Sequence, residues 1–192
     1  MSAVTYAGEI IDDPISKQRI TFLKTARDTF GEILRFEVCM APGGFMNRHM
    51  HPTQRERVEV VSGTVRFRIR SRERNLASGQ ALVVNPGEAH EVHNQSGANA
   101  VLVIEVRPPA LKTERGLEII FGLAIEGKSN QYGRPKNVLQ RGIIAYEYMN
   151  EVALPGIPLV VQRTMVAPLA ALGRLLGYRP SYSRYGDGDE AL

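Results

Sequence analysis

A chain of 192 residues, 43% of them hydrophobic, is long enough to bury a core without disulfides or a structural metal. It favours one domain, with an appendage at most. The net charge of +4, from 24 Lys and Arg against 20 Asp and Glu, is too mild to mark a nucleic-acid-binding protein. The single cysteine, Cys39, excludes an intramolecular disulfide and suits a reducing compartment. Residues 1–6 have neither the basic start nor the apolar core of a signal peptide, so a cytoplasmic location is expected.

Residues 1–30 read as an entry arm, with a turn at Asp12-Asp13-Pro14 and a first strand over 19–23. Over 32–40, Leu34, Phe36, Val38 and Met40 alternate with Arg35, Glu37 and Cys39, the period of a strand with one buried face. Ala41-Pro42-Gly43-Gly44 turns the chain into a second strand carrying His49 and His51. Val58 and Val60 continue an inward side, Ser62-Gly63 turns, and Val65, Phe67 and Ile69 then alternate with Arg66, Arg68 and Arg70. Short apolar strands follow at 81–84 and 101–106. Many short strands separated by Gly and Pro turns indicate an all-β barrel or sandwich.

After Arg107-Pro108-Pro109 the period becomes helical. A helix is predicted over 114–126 with Leu117, Ile120, Phe121 and Ala124 on one stripe and Gly127 as its stop. A second is predicted to open near Pro135, with Val138, Leu139, Ile143, Tyr146 and Met149 as its apolar stripe. A third is predicted over 159–176, bent or interrupted at Pro168. The small, acidic tail 186–192 is expected to be mobile.

The chemistry concentrates in residues 43–56. In a strand, alternate side chains share a side, so His49 and His51 face one way, a few ångströms apart, as a chelated ion requires. Pro52 breaks the strand and lets the chain return with Glu56 aimed at the same place. The stretch 79–94 offers His90 as a fourth ligand. Three imidazoles and one carboxylate suit divalent iron, manganese, nickel, copper or zinc. Such sites keep positions open for water, oxygen or substrate.

The two clusters resemble the motifs of the cupin family. The first, G-x5-H-x-H-x3,4-E-x6-G, is met by Gly43, His49, His51, Glu56 and Gly63. The second, G-x5-P-x-G-x2-H-x3-N, is met by Gly79, Gly87, His90 and Asn94, with its Pro displaced from position 85 to Pro86. The resemblance implies a double-stranded β-helix (jelly-roll) barrel with one divalent metal on His49, His51, Glu56 and His90. It implies residues 1–110 as barrel and arm, and 111–192 as a helical extension packed on the barrel or on a partner subunit. The extension is similar to that of a bacterial cupin subgroup with no assigned reaction. Dioxygenase-type chemistry on a small organic molecule is the first expectation, with Glu56 also catalytic. Lewis-acid isomerisation or cyclisation is the second. A non-enzymatic module that binds or senses a small ligand is the alternative, because the fold hosts all of these.

Asn47 shares the parity of the histidines, and Gln54 lies in the turn between ligands, so both are candidate substrate contacts. Phe36, Val38, Met40 and Val58 are candidate cavity lining, with core packing as the plainer role. Asn94 is expected to tie a turn, and His93 to face outward. The arginines from Arg66 to Arg74 read as a solvated face outside the cavity, paired with Glu37, Glu59 or Glu73. No nucleic acid partner and no membrane span are expected, since the third helix carries Arg163, Arg174 and Pro168. A homodimer is expected.

Overall fold

The computed structural model describes residues 5–108 and 112–180; the acidic tail 186–192 lies outside them. Ten strands come first, and three helices follow. The strands are β1 (Ile10–Asp13), β2 (Gln18–Lys24), β3 (Leu34–Met40), β4 (Phe45–His49), β5 (Arg55–Ser62), β6 (Thr64–Ile69), β7 (Arg72–Ala77), β8 (Ala81–Val84), β9 (His90–His93) and β10 (Ala100–Arg107). They form two antiparallel sheets, β1-β2-β3-β10-β5-β8 and β4-β9-β6-β7. From β3 onward, sequence neighbours other than the β6–β7 hairpin fall in opposite sheets, as when β4 leaves β3 to pair with β9, which gives the double-stranded β-helix.

The period-2 patterns hold the barrel together. In β3 buried and half-buried residues alternate strictly, and β5 buries Glu56, Val58 and Val60. The inward set meets in one core around Phe22, Leu34, Met40, Phe67, Leu102 and Ile104. Each large side chain removed from water there is worth roughly 1.5–3 kcal/mol. Two strands escape the sequence patterns. β1 extends the arm by pairing with β2, and β7 returns from β6 with a single buried residue, Leu76. Neither has a continuous apolar alternation, because each is an edge strand.

The extension comprises α1 (Thr113–Ile125), α2 (Val138–Tyr148) and α3 (Leu159–Leu175). α1 lies against β1, and its Phe121 enters the barrel core. α2 starts later than Pro135 suggested. Asn137 caps it, its side chain accepting from the amides of Leu139 and Gln140, while Pro135 bridges Ser129. α2 and α3 pack closely through glycines: a Cβ on Gly142 would lie 2.7 Å from Leu169 Cβ, and one on Gly173 2.7 Å from Ile143 Cδ1. α3 runs through Pro168 without interruption. Proline removes one hydrogen bond there, but Gln162, Ala170 and Gly173 anchor the helix on both sides of it. Among the described residues, no helix is long and apolar enough to cross a membrane.

Candidate metal centre

His49 ends β4, His51 follows it, Glu56 is the second residue of β5, and His90 opens β9. Register explains their meeting. His49 pairs directly with His90, and Glu56 lies on the inward parity of β5 beside Val84 and Val106. The turn of the second motif backs the ligand strand, with Gly87 N–H donating to His51 O at 2.8 Å. One ligand atom from each of the four residues falls within 4.8 Å of the others, a span that one ion can bridge. Glu56, His51 and His90 are buried; His49 is half-buried.

The hydrogen bonds of the imidazoles fix which nitrogen faces inward. His49 Nδ1 donates to Asn47 O at 2.7 Å, His51 Nδ1 to Glu151 O at 2.7 Å, and His90 Nδ1 to Glu88 O at 3.1 Å. All three rings therefore carry their proton on Nδ1, which leaves three Nε2 lone pairs for a cation. His90 Nε2 is buried with no hydrogen-bond partner, 3.4 Å from Glu56 Oε1. His51 Nε2 lies 3.0 Å from Glu56 Oε2. A neutral imidazole with Nδ1–H would set a lone pair against that carboxylate, so the contact requires a second proton or a metal ion. These residues fit a metal.

Charge follows the same geometry. Burial, with His90 and His51 beside it, pushes His49 down to about 3. Burial opposes ionisation of Glu56, yet the two imidazoles hold its carboxyl well below the usual range. Burial also opposes a charge on His51, but the hydrogen bond and charge of Glu56 raise it.

The extension reaches the ligand segment at four points. Asn47 Nδ2 donates to Tyr132 O at 2.8 Å. Met50 and Ala153 exchange backbone hydrogen bonds at 3.1 and 3.0 Å. Glu151 O orients His51, and Gln54 Nε2 donates to Thr113 Oγ1 at 3.4 Å, which donates to Glu151 Oε2 at 3.0 Å. Asn47 and Gln54 are thus both engaged with the extension. Gln54 is buried and its Oε1 has no partner; Asn47 is exposed. Phe36, Val38, Met40 and Val58 lie in the packed core, and none lines a described cavity. Asn94 ties its turn, donating to Met40 O and Ala98 O. His93 stacks on Phe45 at a centroid distance of 6.4 Å.

Two parts of the surroundings were not legible. The carbonyl of Glu151 has no residue-type signal. The stacking of Phe67 on His90, 6.0 Å between centroids and 3° between planes, was foreshadowed only by the inward parity of Phe67.

Residues 36–106 match the family model described as Cupin domain, in agreement with the barrel. A curated relative, the tetracenomycin polyketide synthase protein TcmJ of Streptomyces glaucescens, is 29% identical over 77 residues, 40% of this chain and 52% of that protein. The chain therefore spans about half the length of the curated relative it matches. Among solved structures, a predicted oxalate decarboxylase from Thermotoga maritima is 17% identical with a TM-score of 0.49, covering 55% of this chain and 99% of the other. KdgF from Halomonas sp. is 14% identical with a TM-score of 0.48, covering 57% and 96%. The barrel formed by residues 36–106 is a cupin domain.

Proposed function

We propose that this chain is a metal-dependent enzyme acting on a small organic molecule, with one divalent ion on His49, His51, Glu56 and His90. The observation that carries the reading is the common tautomer of the three histidines, each Nδ1 donating to a backbone carbonyl and each Nε2 left for the ion. Bound there, a divalent metal would supply Lewis acidity and, if redox-active, oxygen chemistry. The chain's own residues do the rest. Glu56 neutralises one charge of the ion, the buried faces exclude water, and half-buried His49 marks the side from which a small molecule enters. Dioxygenase-type chemistry is the first reading and Lewis-acid isomerisation or cyclisation the second. The Streptomyces relative's name ties that protein to a polyketide synthase, so oxygen-rich polyketide-like molecules head the substrate screen. In this reading residues 1–110 are the barrel and its arm, and 111–192 the extension.

The expected second copy would dock on α3. Val161, Met165, Pro168, Leu172 and Leu175 are exposed at alternating four- and three-residue spacing, the seam of a helix that pairs with another helix. Arg163 and Arg174 turn away to the Tyr146 ring, which leaves the seam without the basic rim that an anionic membrane would select.

Elemental analysis of untagged protein, followed by oxygen-uptake and product screening on such molecules, tests the function. Near-stoichiometric transition metal with turnover is expected. Protein that neither contains nor takes up Mn, Fe, Co, Ni, Cu or Zn overturns it. Metal and ligand-dependent heat stability without turnover on any substrate favours the binding module.

A further inference from the structure

The run of five arginines splits between two faces, and the split marks a second site. Arg66 and Arg68 lie outside, near Glu73 (3.9 Å) and Glu91 (3.5 Å). The hairpin then turns through Arg70 and Ser71, with Arg70 at φ 54°. Its register pairs Phe67 with Arg74 and Ile69 with Arg72. Directly paired residues of an antiparallel ladder point to the same side. Arg72 and Arg74 therefore share the side of Phe67 and of buried Leu76, the side that faces the core. Both are exposed, as expected of the run, but on the opposite face from Arg66 and Arg68, because a two-residue loop pairs odd positions of β6 with even positions of β7.

Both stay exposed on the edge strand, where an acidic neighbour would be the usual counter-charge. Arg70 has one in Glu88, at 3.1 Å. Arg72 and Arg74 have no acidic partner among the described residues. They border a cavity of about 620 Å³ between the edges of the two sheets, β7 and β8, with Phe67, Ile69 and Leu82 as its apolar part. That volume suits a small molecule. Phe67 also lies flat against the ring of His90, so the cavity abuts the metal centre.

We infer that this cavity binds a small organic anion, its apolar body on Phe67, Ile69 and Leu82 and its carboxylate or phosphate on Arg72 and Arg74. As the substrate class of the enzyme proposed above, the inference rests on that proposal; as a binding site, it stands independently. Charges on an edge strand also discourage edge-to-edge pairing, a role that needs no ligand.

The experiment titrates the full chain, with and without EDTA, with benzoate, its neutral analogue benzyl alcohol and inorganic phosphate, followed by amide chemical shifts. Benzoate is expected to move amides of residues 67–74 and 81–88, with benzyl alcohol about tenfold weaker or silent. The Arg72→Gln, Arg74→Gln double variant, whose spectrum reports its own fold, is expected to lose at least about tenfold in benzoate affinity. Phosphate moving the same amides more weakly than benzoate supports the apolar half of the site. Absence of benzoate shifts up to about 10 mM overturns the inference, as do equal shifts with benzyl alcohol or undiminished binding by the double variant. The EDTA arm separates the anion site from the metal site, since a chain that binds benzoate but no metal overturns only the proposed enzyme.

Discussion

His51 Nδ1 donates to the carbonyl oxygen of Glu151, 100 residues further along the chain, at 2.7 Å. A ligand of the barrel is thus oriented by the extension. The neighbouring exchange between Met50 and Ala153 holds the two segments in register. Ala153→Pro removes the N–H that donates to Met50 O and should loosen this clamp. Metal affinity is expected to fall roughly tenfold, as loss of support around a ligand usually does. Titration calorimetry with Zn²⁺ or Mn²⁺, with circular dichroism to verify the barrel, makes the comparison. Unchanged affinity would show that the barrel holds its ligands unaided.

Replacing a ligand should be more severe. His51→Ala and Glu56→Ala are expected to lose most bound metal and all turnover while keeping the strands, whereas His93→Ala retains both. Metal content and far-ultraviolet circular dichroism decide. Full metal occupancy in His51→Ala would refute the four-residue centre.

Metal affinity should depend on pH through His51. Burial and the adjacent imidazoles keep His49 neutral down to about 3, and Glu56 stays ionised well below the usual carboxylate range. The proton displaced by the ion is then that of His51, raised by Glu56. Affinity should fall as pH decreases through the raised range of His51, with a proton released as the ion binds. Calorimetry in buffers of different ionisation enthalpy counts that proton. A pH-independent affinity would contradict the tautomer argument.

Away from the barrel mouth, Glu118 on α1 accepts from Thr5 Oγ1 and is raised by burial from 4.5 to about 7. The folded chain therefore binds a proton there that the unfolded chain releases. Stability from this group is present below pH 4.5 and is lost as pH rises through about 7. Glu118→Gln should raise the melting temperature at pH 8 and leave it nearly unchanged at pH 4.5. Equal shifts at both pH values would mean that the carboxyl is not held protonated.

Gly142→Ala tests the α2–α3 contact. Alanine gains about 1 kcal/mol in helix propensity, but its methyl would lie 2.7 Å from Leu169 Cβ, which cannot retreat without moving α3. Overpacking of this kind costs about 1–3 kcal/mol, so a lower melting temperature is expected. A stabilised variant would show the helix pair to be looser than described.

The legibility of the sequence follows the physics of each part. His49, His51, Glu56 and His90 were readable because strand parity and a turn convert spacing into direction. The barrel strands were readable where one face is buried, as in β3. β7 was not, since Arg-Glu-Arg-Asn-Leu-Ala offers one buried residue, and the face its exposed arginines take depends on hairpin register rather than on charge. Pro168 suggested a break that packing overrides. The grip of Glu151 and Ala153 on the ligand segment is made by main-chain atoms, which composition does not encode.

That last contact has a consequence for variation. A main-chain carbonyl remains whatever side chain occupies position 151, where the side chain acts on the oxygen only indirectly, through the buried bond that Glu151 accepts from Thr113. Insertion or deletion of one residue between α2 and α3 would instead carry the oxygen away from the imidazole. The carbonyl contact is therefore stricter in length than in spelling, a combination that would preserve metal chemistry while the exposed surface of the extension diverges.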